Sequence, residues 1–334
     1  MVSIYKGTFF SFLTIILWAT SNIFLRYGLL ELGCNQFAVA CSNVLFSGLA
    51  LIAIGGRNTN VKEIITNHQT WVFGALQIFR NLFMLMAFVY ISSTQANLIA
   101  NVEVIFSVLL AWAIFGRKPG FIDFVAMVFI LFGCFILVAD LPMDTAIKAI
   151  VFVMISALLN NMRTVFAELH HDNRANLSIR DRLSLTGWIL FVSAITFMIV
   201  AAVLSTVVSC LPESFLETFE VFKLLPKPME YIAPNNILCG LINGVLIYAA
   251  SMYCYLYAVS LSNSEYFMMI HSSQSLFTYF AESIAAAFAL LPALSFSAID
   301  WFAAMTIMIS SACMVLMRTR RGKALEELIH RAFR

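Results

Sequence analysis

Long apolar runs separated by short polar stretches divide this chain from end to end. Ten runs stand out, at approximately 7–28, 35–56, 70–91, 94–115, 119–139, 146–168, 184–208, 236–258, 265–290 and 298–317. Each is about twenty residues long without strand alternation, which predicts membrane-crossing helices rather than barrel strands. The expected fold class is an all-α integral membrane protein of ten transmembrane helices. The first run is too long for a signal-peptide core and no small-residue cleavage site follows it, so it counts as a spanning helix.

The third and fourth runs form a hairpin from Gln77 to Ala111 around the polar turn Ser92–Ser93–Thr94. Arg80 lies roughly twelve residues before that turn and Glu103 roughly ten after it. At 1.5 Å per residue both fall about 15–18 Å from the turn, near the middle of a hydrocarbon core about 30 Å thick. Opposite charges at one depth are costly in lipid, so they are expected to face protein or water and to meet. Ala96, Ala100, Glu103, Ser107 and Ala111 share a small-residue face. Two readings stay open there: a neutralising Arg80–Glu103 pair inside close packing, or a substrate between the charges, with arginine taking a carboxylate and glutamate an amine or proton. Asn97 and Asn101 point elsewhere and read as interhelical glue.

Other spans carry polar faces too. In the ninth, His271, Gln274, Ser275, Thr278 and Glu282 fall within about 60° of one line, with Phe277 and Phe280 opposite, which reads as a cavity wall. Glu282 lies toward the span end, where snorkelling is the alternative. A histidine titrates near about 6.5, so Glu103, His271 and Glu282 are the proton-coupling candidates. Ser11, Thr14, Trp18, Ser21 and Asn22 share a face of the first span, and Ser156, Asn160 and Arg163 a face of the sixth. Arg26 and Glu168 near span ends read as snorkelling or anchoring groups. Tyr248 is placed to stack on a ring-bearing substrate, whereas Tyr255 and Tyr257 read as packing or interfacial anchors. The candidate substrate-binding set is Trp18, Asn22, Gln77, Arg80, Glu103, Ser107, Asn160, Arg163, Tyr248, His271, Gln274 and Thr278.

Composition agrees with the span pattern. Of 334 residues 61% are hydrophobic and 11% charged, with a mean hydropathy of +0.90; soluble domains are nearer half apolar and a quarter charged. The net charge of +2 says nothing useful about a nucleic-acid partner, because the basic residues sit in loops and the tail, and no nucleic-acid partner is expected. Arg57, Lys62, Arg117, Lys118, Arg174, Arg180 and Arg182 follow even-numbered spans, whereas Glu31, Asp140, Asp144, Glu213, Glu217, Glu220, Glu230 and Asp300 lie opposite. The positive-inside rule then places both termini in the cytoplasm, in an inner-membrane protein. Residues 169–183 read as a polar cytoplasmic linker, in which His170–His171–Asp172 lacks the spacing of a metal site. Residues 209–235 read as an outer loop, with Phe215, Phe219, Phe222 and Leu225 forming a short interfacial helix. The 321–334 tail reads as a basic amphipathic segment on anionic headgroups. Seven scattered cysteines behave mostly as small hydrophobes, with a Cys34–Cys210 disulfide as one alternative.

An internal repeat aligns Lys6 with Lys148, pairing Leu17 with Leu159 and Phe24 with Phe166. It divides the chain into halves 1–140 and 141–320 of five spans each. An odd number per half inverts the second copy relative to the first, a plan common among secondary transporters.

The stretch ILWATSNIFLRYGL, and the hairpin continuing through AFVYISSTQANLIANVEVIFSVLLAWAIFGRKPGFIDFVAMVFILFGCFILV, resemble the EamA-type proteins of the drug/metabolite transporter superfamily. Trp18, Asn22, Glu103 and Gly116 occupy the places of that pattern. The resemblance implies a ten-helix, inverted-repeat carrier of small metabolites with a central cavity. Arg117 stands where an acid is common, the Asn43 region replaces an arginine of the second span, and the second half lacks a clear exit motif.

The function expected is a secondary carrier working by alternating access. No GxxxxGK[ST] loop is present to supply an ATP motor. Both signs of charge beside aromatics suit a small polar or zwitterionic metabolite: an amino acid, or a derivative such as S-adenosylmethionine. An exporter of drugs or other metabolites is the alternative. A membrane-embedded enzyme is disfavoured by the lack of HExxH and GxSxG patterns, and a scaffold role remains a third reading. No cofactor or metal is expected; the partners are the substrate and the bilayer, with monomer and homodimer both open.

Overall fold

A computed structural model describes residues 2–56, 61–116, 118–139, 141–170, 172–173, 177–210, 226–262, 264–294 and 296–318. Every regular element among them is helical. In chain order these are α1 (Val2–Leu30), α2 (Gln36–Gly55), α3 (Val61–Thr66), α4 (His68–Tyr90), α5 (Ser93–Ile99), α6 (Glu103–Phe115), α7 (Phe121–Ala139), α8 (Met143–Leu169), α9 (Ile179–Ser209), α10 (Pro234–Asn243), α11 (Ala249–Leu261), α12 (Ser264–His271), α13 (Gln274–Ala287) and α14 (Ala298–Arg318). A 3-10 turn at Ala100–Val102 joins α5 to α6, and a π turn at Gly244–Tyr248 joins α10 to α11. Among the described residues eight helices are long and apolar enough to cross a membrane, including Ser93–Ile114 and Pro234–Leu261 taken whole. The expected ninth span does not run unbroken, because the turn at Ser272–Ser273 separates α12 from α13.

Local chemistry explains the helix ends. Asn35 caps α2 by accepting from the amides of Phe37 and Ala38. Ser92 and Gln95 form a reciprocal capping box at the start of α5, which sets where the hairpin turns. Gly116 ends α6 in the left-handed conformation, at φ 67°, a geometry that glycine adopts without strain. Ser92→Ala is expected to lower stability by about 1 kcal/mol through loss of the cap, readable as a shift of the thermal midpoint in detergent.

The helices pack in pairs that cross between the two halves: α1 on α11, α2 on α9, α4 on α8, α5 on α13, and α7 on α14. Small residues set the closest of these crossings. A Cβ at Gly48 would lie 2.6 Å from the Phe191 amide and 2.9 Å from the Gly187 carbonyl oxygen, and one at Gly187 would lie 2.8 Å from the Ile52 amide. Such side-chain-free faces bring helix backbones together in membranes. Outward, α7 exposes Phe124, Val128, Phe129, Leu131, Phe132 and Phe135. That much uncovered apolar surface suits lipid tails rather than water.

Several expectations about loops change. Arg26 and Glu168 do not snorkel: Arg26 is ion-paired to fully buried Glu282, and Glu168 accepts from the Ser264 amide at 2.7 Å. Glu282 also accepts from the Thr94 amide at 2.8 Å and from the Thr94 hydroxyl at 2.6 Å, so the hairpin turn is clamped by a carboxylate from α13. The linker is not simply solvated. His170 is buried beside Thr70, and Asn173 donates to the Ala167 and Leu256 carbonyls and accepts from Arg182. Cys34 and Cys210 are both free thiols, and Cys34 lies with Cys239 over Gly28. The interfacial helix expected around Phe215–Leu225 and the 321–334 tail lie outside the described residues.

Candidate functional site

One group of buried polar side chains gathers round the indole of Trp18. The α1 face predicted by helical spacing is real: Ser11, Thr14, Trp18, Ser21 and Asn22 are all buried. The hydroxyls of Ser11 and Thr14 bond back to the Gly7 and Phe10 carbonyls, whereas Ser21 accepts from Asn243, Asn22 donates to Asn97 and Trp18 meets the side chains of several other helices. Arg163 of α8 lies 4.9 Å from its ring centre and Arg80 of α4 lies 5.4 Å away. Tyr255 and His271 each approach it at 5.3 Å. Tyr255 is therefore no interfacial anchor. It is fully buried, with Arg163 4.4 Å over its face, and its hydroxyl donates to Thr164 at 3.0 Å.

Arg80 and Glu103 do not meet in an ion pair. Glu103 Oε2 lies 2.9 Å from His271 Nδ1 and accepts from Asn160 Nδ2 at 2.8 Å. One proton must lie between the carboxylate and the imidazole, on Nδ1 or on oxygen, for this contact to hold. His271 thus has an acidic partner in Glu103, 168 positions away along the chain. Arg80 donates instead to its neighbour Asn81, at 3.1 Å. Asn81 in turn donates to Tyr248 at 2.8 Å, and Gln77 donates to the same hydroxyl. Arg163 donates to Gln77 and, at 2.6 Å, to Asn160 Oδ1. One hydrogen-bonded chain thus runs Arg80–Asn81–Tyr248–Gln77–Arg163–Asn160–Glu103–His271.

Of the predicted residues, Trp18, Gln77, Arg80, Glu103, Asn160, Arg163, Tyr248 and His271 come together. Asn22, Gln274 and Thr278 form an adjoining row: Asn22 and Gln274 both donate to Asn97, and Thr278 bonds back to the Gln274 carbonyl. Asn97 is thus interhelical glue, as read from its face. Ser107 stands apart, on a cleft of about 10 Å³ with Asn161 and Met268, room for about one water. Glu282 sits at the hairpin turn with Arg26, not with Glu103 and His271. Asn81, Asn161 and Thr164 escaped the sequence reading; the first two directly follow Arg80 and Asn160, a doubling of polar residues inside an apolar run that marks the same place.

Three main-chain irregularities surround this cluster. Glu103 directly follows the 3-10 turn, Tyr248 closes the π turn, and His271 directly precedes the Ser272–Ser273 break. Such departures are common at functional sites because they re-aim side chains and loosen the helical ladder.

The electrostatics are lopsided. Arg80 and Arg163 are both buried, and among the described residues neither has a carboxylate within ion-pair distance. Removing a guanidinium from water costs several kcal/mol. A ring face returns about 2 kcal/mol when desolvated, and a hydrogen bond from a charged group about 1.5–3 kcal/mol. Arg163 has two of each, which goes far toward offsetting its cost. Arg80 has one of each, with a second cation nearby. The Nε atoms of both arginines, Trp18 Nε1 and His271 Nε2 are buried without partners among the described residues. The cleft at Asn97, Glu103, His271 and Gln274 admits no water-sized sphere. A cavity of about 200 Å³ opens instead at the hairpin end, lined by Arg26, Tyr90, Ser92, Gln95, Pro292 and Phe296. Among the described residues no three His, Cys, Asp or Glu side chains converge as for a metal ion.

Residues 5–139 match the EamA-like transporter family, which belongs to the drug/metabolite transporter superfamily. Together with the apolar helices this makes the chain a multi-pass membrane protein with a first half like that of known transporters. A solved crystal structure superimposes with a TM-score of 0.61 at 15% identity, over 95% of this chain and 99% of its own, a likeness of fold. No curated protein matches the chain.

Proposed function

We propose, starting from the EamA-like first half, that this protein is a secondary transporter of the drug/metabolite type. It moves a small polar or zwitterionic metabolite, such as an amino acid or a derivative like S-adenosylmethionine, across an inner membrane by alternating access. The observation that carries the reading is the buried chain of hydrogen bonds from Arg80 to His271. It is built from helices of both halves inside an apolar bundle, where intramembrane charges are functional by default.

The helix pairing supports two five-span inverted halves, 1–140 and 141–320. Exchanging the helices of one half for those of the other turns α1 on α11 into α8 on α4, and leaves α2 on α9, α5 on α13 and α7 on α14 unchanged. With ten spans, both termini are cytoplasmic. Glu103 and His271 share a proton across the two halves, so protonation state and helix position are coupled there, and a proton gradient is the driving force.

Purified protein in proteoliposomes tests this with labelled amino acids and S-adenosylmethionine. Wild type is expected to accumulate a substrate under an imposed pH gradient. Glu103→Gln is expected to lose gradient-driven accumulation at least tenfold while retaining part of the exchange seen without a gradient. Equal accumulation by wild type and Glu103→Gln removes the assigned role, and no flux of any of these compounds removes the substrate class.

A further inference from the structure

We propose that the substrate carries an oxyanion, a carboxylate or phosphate group, that seats on Arg80 and Arg163 beside Trp18. The proposal rests on the carrier reading and names the chemistry its site selects. Arg80 is 4% exposed and Arg163 0%, and both guanidiniums lie within 5.4 Å of one indole centre. The acid in this region is already committed, Glu103 to His271 and Asn160, and Glu282 is held apart at the hairpin turn by Arg26 and Thr94. The centre therefore holds two fixed cations, a carboxylate whose charge is shared with an imidazole, and no second anion among the described residues.

Neutral amide oxygens stand where anionic oxygens belong: Asn81 Oδ1 faces Arg80, while Gln77 Oε1 and Asn160 Oδ1 face Arg163. Amide side chains rotate, so incoming oxygens can replace them. A guanidinium fork matches a planar carboxylate or a phosphate face with two parallel hydrogen bonds, which an amide oxygen cannot offer. The Ser156 hydroxyl holds the Arg80 carbonyl at 3.0 Å, fixing the backbone beneath one arm of the seat. Both arginine Nε atoms lack partners among the described residues, leaving donors free for such a ligand. A purely cationic solute meets two like charges there and is excluded.

The test is thermal melting of the full-length protein in detergent, at matched chloride ionic strength. The probes are acetate, succinate, inorganic phosphate, leucine and leucinamide. At least one oxyanion is expected to raise the wild-type midpoint, increasingly with concentration, and leucine more than leucinamide; the phosphate and carboxylate arms separate the two chemistries. Arg80→Met and Arg163→Met are each expected to need at least tenfold more oxyanion for the same rise. Ligand-free Arg80→Met is expected to melt no lower than wild type, because it removes a buried charge that lacks a counter-ion. Arg80→Gln, which keeps a polar group, controls for a methionine that packs badly.

A wild type stabilised by none of these oxyanions, or arginine variants that respond as wild type does, overturns the seat. Proteoliposome counterflow separates this outcome from failure of the carrier reading. Flux of leucinamide equal to that of leucine ends the oxyanion requirement and leaves transport intact. Oxyanion binding without any flux ends transport and leaves the seat.

Discussion

Glu282→Ala is expected to cost about 3–5 kcal/mol of stability, because it strands a buried cation. Arg26, whose side chain is 11% exposed, loses its counter-ion. The amides of Ser93 and Thr94 and the Thr94 hydroxyl lose their acceptor at the same time. Glu282→Gln keeps the shape and one acceptor oxygen, so its loss should be intermediate. Replacing both charges, as in Arg26→Met with Glu282→Leu, should recover most of the deficit, since an apolar pair does not carry the desolvation cost of an isolated ion. The residue of the loss belongs to the unsatisfied hairpin amides. Unfolding midpoints in detergent decide the matter. An alanine variant within about 0.5 kcal/mol of wild type, the range of neutral surface changes, would show that this clamp contributes nothing.

The second large effect is expected from Gly48→Leu, at about 3 kcal/mol, the upper part of the usual range for overpacking. The new Cβ would sit 2.6 Å from the Phe191 amide, 2.9 Å from Phe191 Cα and 2.9 Å from the Gly187 carbonyl oxygen. All of these are backbone atoms of α9, so no rotamer change relieves the clash and the two helices must separate. Gly33→Ala is the contrast. Its φ of +60° strains an alanine, yet nothing lies within 4 Å, and its cost should fall near 1–2 kcal/mol. If the two variants melt alike, α2 and α9 do not cross with their backbones in contact at Gly48.

The sequence reading was strongest where it rested on period. The polar faces of α1, α8 and α13 are buried as spacing predicts, and Ser92 caps the hairpin where the short polar turn placed it. Partner choice was out of reach. Helical spacing tells which face carries Glu103, but which cation it meets depends on how helices rotate against one another, and His271 lies much farther along the chain than Arg80. The same holds for Arg26 and Glu282: nearness to span ends suggested solvation, whereas packing of α1, α5 and α13 encloses them. The helix irregularities were hidden for a different reason. Ala100–Val102 and Ser272–Ser273 contain neither glycine nor proline; Asn101 and the two serines bond back to carbonyls three or four residues earlier, a weaker local signal than either breaker.

Those departures also set the mechanical scale of the molecule. Beyond the Ser272–Ser273 break, α13 is a stiff arm of 14 residues, about 20 Å at 1.5 Å per residue. A pivot of about 10° at its base would sweep the far tip by roughly 3–4 Å, a distance set by that arm length. Glu282 lies part-way along that arm, about 12 Å from its base, and would move about 2 Å, whereas its grip on Thr94 is a matter of tenths of an ångström. A fulcrum beside His271 therefore has enough leverage to release a fastening three turns of helix away, without stretching any bond in between.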